Sequence, residues 1–225
     1  MNINFDTLNL LSVINRLRTP PLRYDTNKQK EYFSVVSRKL GFSDYLEIPT
    51  GFELKSKGNR DIQKIKVTSD NLTMACDFPE KMQFDLIKKN FEFLIKEFFN
   101  ILTPPFFLFQ TCVIRKTVTT YDGSDTRKFL AEKVCRIEGN KLQPFGRPVH
   151  TIGVRFLFPP FKDNKTEFNI QVESLVRDIK YLFIENSANF FYTIRKEDIK
   201  NILENLNVTE EFIDENIKTF LSQFK

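Results

Sequence analysis

The residues best suited to chemistry are one arginine and two glutamates on strands that follow one another in the chain. Arg155, Glu173 and Glu185 lie in three consecutive predicted strands joined by short turns. If these strands are neighbours, Arg155 can bridge both carboxylates, or hold one while the other acts as a general base. The alternative is a cross-strand ion pair on a solvent-facing surface, without a catalytic role. The register of the strands decides between these two interpretations, because a one-residue slip moves a side chain to the opposite face of the sheet.

No motif of a known catalytic or metal site accompanies these residues. The sequence has neither a phosphate-binding glycine loop nor a G-x-S-x-G nucleophile motif. His150 is the single histidine, and we expect it on the apolar face of a strand as a core or strand-end residue. Cys76, Cys112 and Cys135 are odd in number and widely spaced, which argues against a disulfide scaffold and a zinc site. The sequence therefore predicts a protein that is not an enzyme and holds neither cofactor nor metal.

The sequence also predicts the compartment of the protein and its relation to the membrane. Three cysteines without a pairing pattern indicate a reducing compartment. The amino-terminal segment has no basic residues ahead of its apolar part, unlike a secretory signal. Six charged residues interrupt the apolar stretch 84–102, so we expect no membrane span there. The predicted location is the cytoplasm.

The net charge of +5 is spread along the chain without a basic run. Arg115, Lys116, Arg127 and Lys128 flank a turn near Tyr121 and are the best candidate for a basic patch. Such a patch is the nucleic-acid alternative, because phosphate contacts need clustered cations beside aromatic residues. The other interpretation is the charged rim of a loop.

The central element of the prediction is one long amphipathic helix over residues 80–102. Its apolar residues recur at spacings of three and four, the period of a helical face. They are Phe84, Ile87, Phe91, Leu94, Ile95, Phe98 and Leu102. Pro104 and Pro105 end the helix. We expect it to pack on one face of a sheet.

The amino-terminal part is predicted to be helical. Leu10, Ile14 and Leu17 share a helical face behind a cap at Asp6 or Thr7, and a second helix spans 27–40. Residues 42–57 read as a loop with one short strand at 51–55. Residues 1–60 are therefore assigned to a helical and loop portion packed on the body.

Residues 61–192 are assigned to an α+β core. Strands are predicted at 64–68, 72–78, 106–119, 148–158, 167–176 and 181–186, with a short helix after Ser124 or Asp125. A strand pair is the alternative for that helix. The fold class is an antiparallel or mixed sheet of about five to seven strands, with helix 80–102 on one face and helices at both termini.

Residues 193–225 are predicted to form a helical hairpin. The two helices span 196–206 and 210–224, with Thr209 as the cap of the second and a short link at 207–208. The second helix carries an apolar stripe formed by Ile213, Ile217, Phe220, Leu221 and Phe224. Such a hairpin must bury its stripes on its own body or on another protein.

The predicted function is a non-catalytic protein-interaction or assembly module that uses this hairpin. Its partner is another protein or a second copy of the chain, with the hairpin's apolar stripe as the anchor. One alternative is a carrier of a small apolar ligand between the sheet and helix 80–102. Phe84, Phe91, Phe98, Phe156 and Phe158 would line that cavity. A weak nucleic-acid binder, or an enzyme built on Arg155 and the two glutamates, completes the alternatives.

Overall fold

A computed structural model of the chain describes residues 2–56, 62–79 and 83–224. In this part of the chain, nine strands form one antiparallel sheet in the order β2-β3-β4-β5-β1-β6-β9-β8-β7. The strands are β1 (Ile3–Arg18), β2 (Phe42–Ile48), β3 (Gly51–Ser56), β4 (Ile62–Thr68), β5 (Asn71–Asp77), β6 (Phe109–Thr120), β7 (Gly153–Phe158), β8 (Thr166–Ser174) and β9 (Tyr181–Phe190).

Helices cover one face of this sheet. They are α1 (Thr26–Leu40), α2 (Phe84–Glu97), α3 (Thr126–Lys128), α4 (Ile199–Glu211) and α5 (Lys218–Ser222). π-Helical segments follow α2 (Phe98–Leu102) and α3 (Phe129–Val134) and join α4 to α5 (Phe212–Ile217), and short 3-10 turns span Gly139–Phe145 and Lys196–Asp198. The core lies between these helices and the sheet, where Leu94, Phe98, Ile114 and Ile202 are almost fully buried.

The predicted fold is wrong in the number of strands and in the arrangement of helices. The sheet has nine strands rather than five to seven, and several helices share the face that was assigned to one long helix. The two strands absent from the prediction are β1 and β2. The predicted helix over 80–102 is found as α2 and its π-helical continuation, and residues 80–82 lie outside the described part.

Strand β1 was predicted as a helix because its sequence does not alternate. It pairs with β5 on one side and β6 on the other, so it is the centre of the sheet. Val13 and Leu17 are buried under the helices and Ile14 is buried on the opposite face, so apolar residues point both ways. Register shifts between Asn4 and Asn9, and between Leu10 and Ser12, break the period further.

The predicted carboxy-terminal hairpin is also wrong. The chain is helical without interruption from α4 through the π-helical turn Phe212–Ile217 into α5. Thr209 is not a cap, because its Oγ1 donates to the carbonyl of Asn205, 2.6 Å away, within the helix. A threonine at a helix start and a threonine bonded back to residue i−4 look alike in sequence.

The two halves of the sheet repeat one order of elements. In the first half, β1 and α1 precede strands β2 to β5, and α2 follows; in the second, β6 and α3 precede β7 to β9, and α4 follows. In each half the last strand pairs with the first, and β1 and β6 pair at the centre. The halves differ in the number of strands, since four strands follow α1 in the first half and three follow α3 in the second.

Across the described ranges, no helix combines the length and the apolar composition needed to cross a lipid bilayer.

Candidate functional site

Arg155, Glu173 and Glu185 lie on the sheet face away from the helices, but they do not meet. Arg155 is opposite Gln171 of β8, and Gln171 is opposite Glu185 of β9, so a whole strand separates the two charges. The guanidinium Nε of Arg155 donates to Oδ1 of Asn169 at 2.8 Å. Glu185 instead accepts from Nε of Arg115 at 2.6 Å. The three residues therefore form no common site.

The four cations proposed as a basic patch are separated by the sheet. Arg115 and Lys116 are adjacent in β6 and point to opposite faces. Arg115 pairs with Glu185 on the open face, whereas Lys116 is buried beneath the carboxy-terminal helix with Glu210 and Asp214. Arg127 is held by Asp125, and this ion pair lowers the pKa of the Asp125 carboxyl. Lys128 is exposed, and its charge also acts on the Asp125 carboxyl by lowering its pKa.

The single histidine lies at the surface, and two of the three cysteines are buried. His150 is exposed and precedes β7, so its predicted place on the apolar face of a strand is wrong. Cys112 is fully buried, and burial raises the pKa of its thiol far above the ordinary value. Within the described ranges, histidine, cysteine, aspartate and glutamate form no group of three that could hold a metal ion.

Most of the stripe proposed as an interaction anchor belongs to the core of the same chain. Ile213, Ile217 and Leu221 are almost fully buried against the sheet. Phe220 and Phe224 are partly buried and pack on each other with ring centres 5.1 Å apart. Only these two phenylalanines are left to reach a partner.

The five phenylalanines proposed to line a ligand cavity lie in separate places. Phe91 lies in α2 and Phe98 begins the π-helical segment after it. Both are buried, and Phe98 stacks on Phe107 with ring centres 5.9 Å apart. Phe156 and Phe158 lie at the far edge of the sheet, on β7, and contact the carboxy-terminal helical segment instead. They line no common cavity with α2.

The most distinctive surface of the molecule is the outer edge of β7. In the first half of the sheet, β2 pairs with β3 and covers its outer side. In the second half β7 holds the place of β3, and no described strand pairs with its outer side. The segment between α3 and β7, which corresponds to β2, forms the 3-10 turn Gly139–Phe145 instead of a strand. The second half therefore lacks its outermost strand.

The backbone of β7 presents free hydrogen-bonding groups at this edge. The Ser174 N–H donates to the Ile152 carbonyl at 3.0 Å, so residue 152 directs its backbone towards β8. In an antiparallel ladder alternate residues bond to alternate sides. Val154, Phe156 and Phe158 therefore bond to β8, and Gly153, Arg155 and Leu157 direct their N–H and C=O groups outwards.

Apolar side chains surround this free backbone. Leu157 is 60% exposed, Phe158 44% and Phe161, in the following turn, 70%. Natural sheets usually protect an edge with charges, bulges or prolines, and an exposed apolar edge is a site for strand addition. The edge carries one charge within the strand, that of Arg155.

A shallow apolar groove of about 170 Å³ runs beside the edge on the helix-covered face. It lies between β7 and the carboxy-terminal helical segment, and its lining is formed by Phe156, Phe158, Phe212, Asn216, Ile217 and Phe220. Phe156 meets Phe220 edge to face with ring centres 5.2 Å apart. Phe158 and Phe212 have ring centres 5.6 Å apart. The groove can take one apolar side chain of a strand added to β7.

The opposite edge of the sheet is protected. Strand β2 carries the exposed carboxylates Asp44 and Glu47. Its pairing with β3 also shifts register between Phe42 and Asp44, which distorts the strand. We therefore identify β7 (together with the groove beside it) as the candidate site, and call it the β7 edge.

One sequence signal for this site was missed. Asp25-Thr26-Asn27-Lys28 and Asp125-Thr126-Arg127-Lys128 differ at one position and stand 100 residues apart. In the structure both segments begin a helix, and Asp25 and Asp125 cap α1 and α3 by accepting backbone N–H groups. This repeat marks the equivalent helices of the two halves, and it aligns β2 with a segment that is not a strand.

No protein-family model matches the chain, and no curated protein matches it significantly.

Proposed function

We propose that the protein is a non-catalytic interaction module that binds another polypeptide by adding its strand to the β7 edge. The observation that carries the proposal is the unpaired outer side of β7, at the position that β2 covers in the first half. Strand addition supplies backbone hydrogen bonds for affinity, and side-chain pockets supply specificity. The groove between Phe156 and Phe220 is such a pocket.

This proposal keeps the interaction function and changes the surface that performs it. The hairpin of the sequence-based hypothesis does not exist, and the helix in its place contributes Phe212 and Phe220 to the groove. The carboxy-terminal helix therefore packs against the helix-covered face of β7. Cytoplasmic residence belongs to the proposal as well, because no disulfide joins Cys76, Cys112 and Cys135.

A proline in β7 tests the proposal. Leu157→Pro removes an outward N–H and leaves the hydrogen bonds to β8 in place, because edge strands tolerate proline on their free side. Leu157→Ala is the matched control, since it shortens the same side chain and keeps the N–H. Native mass spectrometry measures the mass of each variant after gentle purification from cells. Thermal unfolding checks that both variants are folded.

We expect the wild-type chain and Leu157→Ala in assemblies heavier than the 26.6 kDa chain, and Leu157→Pro as a free chain. Assembly masses that are unchanged by the proline would refute strand addition at β7. A wild-type chain that carries no partner of any kind would refute the interaction function itself.

A further inference from the structure

The sequence of β7 suits a second copy of the same strand as its partner. We propose that the strand added to β7 is the β7 strand of a second copy, so that two sheets join into one across a two-fold axis. This inference rests on the proposed function and specifies its partner. A two-fold contact between equal edges closes on itself, which leaves no apolar edge to recruit further chains.

The length of β7 restricts the register of such a pair. When two antiparallel copies of Gly153–Phe158 are centred on the same residue, five residues of each strand overlap only if the centre is Arg155 or Phe156. A centre at Val154 or Leu157 pairs three residues. Because each further pair of opposite residues adds contact between side chains, and every second pair adds hydrogen bonds, the two longer registers are favoured over the shorter ones.

Charge decides between these two registers. A centre at Arg155 places the two guanidinium groups directly opposite each other, and like charges in that position destabilise a strand pair. A centre at Phe156 instead places Arg155 opposite Leu157 of the second copy. The outward backbone groups of Arg155 and Leu157 then bond reciprocally, and this happens twice because of the symmetry.

The same register covers the exposed apolar residues. On the helix-covered face, Phe156 lies against Phe156 of the second copy, in the closer, non-hydrogen-bonded type of pair. Phe158 lies opposite Val154 of the second copy. Each groove between β7 and the carboxy-terminal helix then borders the symmetry axis, so the two grooves adjoin. Leu157 and Phe158, which are 60% and 44% exposed in the single chain, become part of the contact.

Two substitutions of one residue test the partner and the register together. Leu157→Glu and Leu157→Arg both remove the same apolar side chain, and Leu157 is exposed enough that neither disturbs the core. In the proposed register, Leu157→Glu places a carboxylate opposite Arg155 twice, and Leu157→Arg opposes two cations twice. Sedimentation equilibrium of each purified variant and of the wild type gives the dimer Kd.

We expect a wild-type dimer, and a Kd about tenfold higher for Leu157→Arg than for Leu157→Glu. The difference in Kd between the two variants should decrease as ionic strength rises, because salt screens exposed charges. Equal Kd values would overturn the register. A reversed order would show that β7 pairs with the acidic edge strand β2 of the second copy, and would overturn self-pairing of β7.

A different result separates this inference from the proposed function. If the wild type stays monomeric at every concentration, while cell-derived assemblies have masses that are not multiples of the chain and Leu157→Pro releases them, strand addition stands and self-pairing fails. If Leu157→Pro leaves every assembly intact, both strand addition at β7 and self-pairing of β7 are refuted.

Discussion

Gly51 and Gly153 occupy equivalent positions in the two halves of the sheet. Gly51 is the first residue of β3 and lies opposite Thr68, and Gly153 is the first residue of β7 and lies opposite Glu173. A Cβ atom on Gly51 would collide with the carbonyl oxygen of Val67. One on Gly153 would lie 2.6 Å from the Cβ of Glu173 and 2.8 Å from the carbonyl oxygen of Val172. Each half thus brings a strand start unusually close to its neighbour.

Gly153→Ala is therefore expected to destabilise the protein. The added methyl group meets backbone and Cβ atoms that cannot rotate away, so the ends of β7 and β8 must separate. Overpacking of this kind costs about 1–3 kcal/mol of the free energy of unfolding. Urea denaturation measures it, with Leu157→Ala in the same strand as the control. A loss in the free energy of unfolding no larger than that of Leu157→Ala would contradict the close approach of Gly153 to β8.

Lys116 is the buried centre of a charge cluster between β6 and the carboxy-terminal helix. Its Nζ lies 3.1 Å from Oε1 of Glu210 and 2.6 Å from Oδ1 of Asp214. Lys116→Met leaves two carboxylates facing each other without a cation. We expect a loss of about 2 kcal/mol in the free energy of unfolding, less than for a fully buried pair because Asp214 is half exposed.

The matched variant for this cluster removes all three charges. Lys116→Met with Glu210→Gln and Asp214→Asn keeps the side-chain volumes and leaves no unpaired charge. It should recover most of the stability lost by Lys116→Met alone. Equal stabilities of the single and the triple variant, measured by chemical denaturation, would show that the carboxylates do not depend on Lys116.

Glu210 gives the cluster a defined pH dependence. Burial raises the pKa of its carboxyl above the usual value near 4.5, and the nearby Lys116 only partly offsets this. A carboxyl with a raised folded-state pKa binds its proton more tightly in the folded protein than in the unfolded one. Its stabilising contribution is therefore complete below the unfolded pKa and is lost as pH rises through the folded pKa.

Glu210→Gln, which mimics the protonated acid, isolates this effect. The free energy of unfolding of the wild type minus that of Glu210→Gln should fall as pH rises from about 4 through the folded pKa. Denaturation series across this range measure the difference. Glu211→Gln subtracts the effect of removing an exposed negative charge from the same helix. A difference that rises with pH would contradict the direction of the pKa shift.

A chain of buried amides ties the carboxy-terminal helix to the centre of the sheet. Asn205 Nδ2 donates to Oε1 of Gln110 at 2.6 Å, and Gln110 Nε2 donates to Oδ1 of Asn15 at 3.1 Å. Tyr192 adds its hydroxyl by donating to Oδ1 of Asn205 at 2.8 Å. These bonds fix the carboxy-terminal helix against β6 and β1, because breaking them would leave buried amide groups unpaired.

Gln110→Leu should cost about 3 kcal/mol, since it leaves Asn205 and Asn15 with buried groups that have lost a partner. The double variant Gln110→Leu with Asn205→Leu should cost less than the sum of the two single variants, because it removes both ends of one hydrogen bond. Denaturation of the three variants measures the coupling. Strict additivity would mean that the two amides do not act as a pair.

Strands that bury one face could be predicted from the sequence. In β5, Leu72, Met74 and Cys76 alternate with Thr73 and Asp77, and that period identified the strand. Strand β1 could not be predicted in this way, because a central strand buries Val13 on one face and Ile14 on the other. Helix α1, whose Gly41 ends it in the left-handed conformation at φ 73°, was confirmed.

The candidate site could be predicted only in part. The sequence identified the strand that contains Phe156 and Leu157, but strand order decides which strand lies at an edge, and order depends on long-range pairing. The Asp-Thr-x-Lys repeat at residues 25–28 and 125–128 marks the equivalent helix starts of the two halves. The structure is needed to show that the second half has a turn where the first has β2.

Hydrogen exchange of the β7 amides tests the central claim most directly. Val154 and Phe156 bond to β8, so their amides should be protected in the free chain and in the assembly alike. The amides of Arg155 and Leu157 point outwards, so they should exchange rapidly in the free chain and slowly once a strand is added. Residue-resolved exchange by NMR, below and above the concentration of assembly, measures both. Rapid exchange of Arg155 and Leu157 in a fully formed assembly would contradict strand addition at the β7 edge.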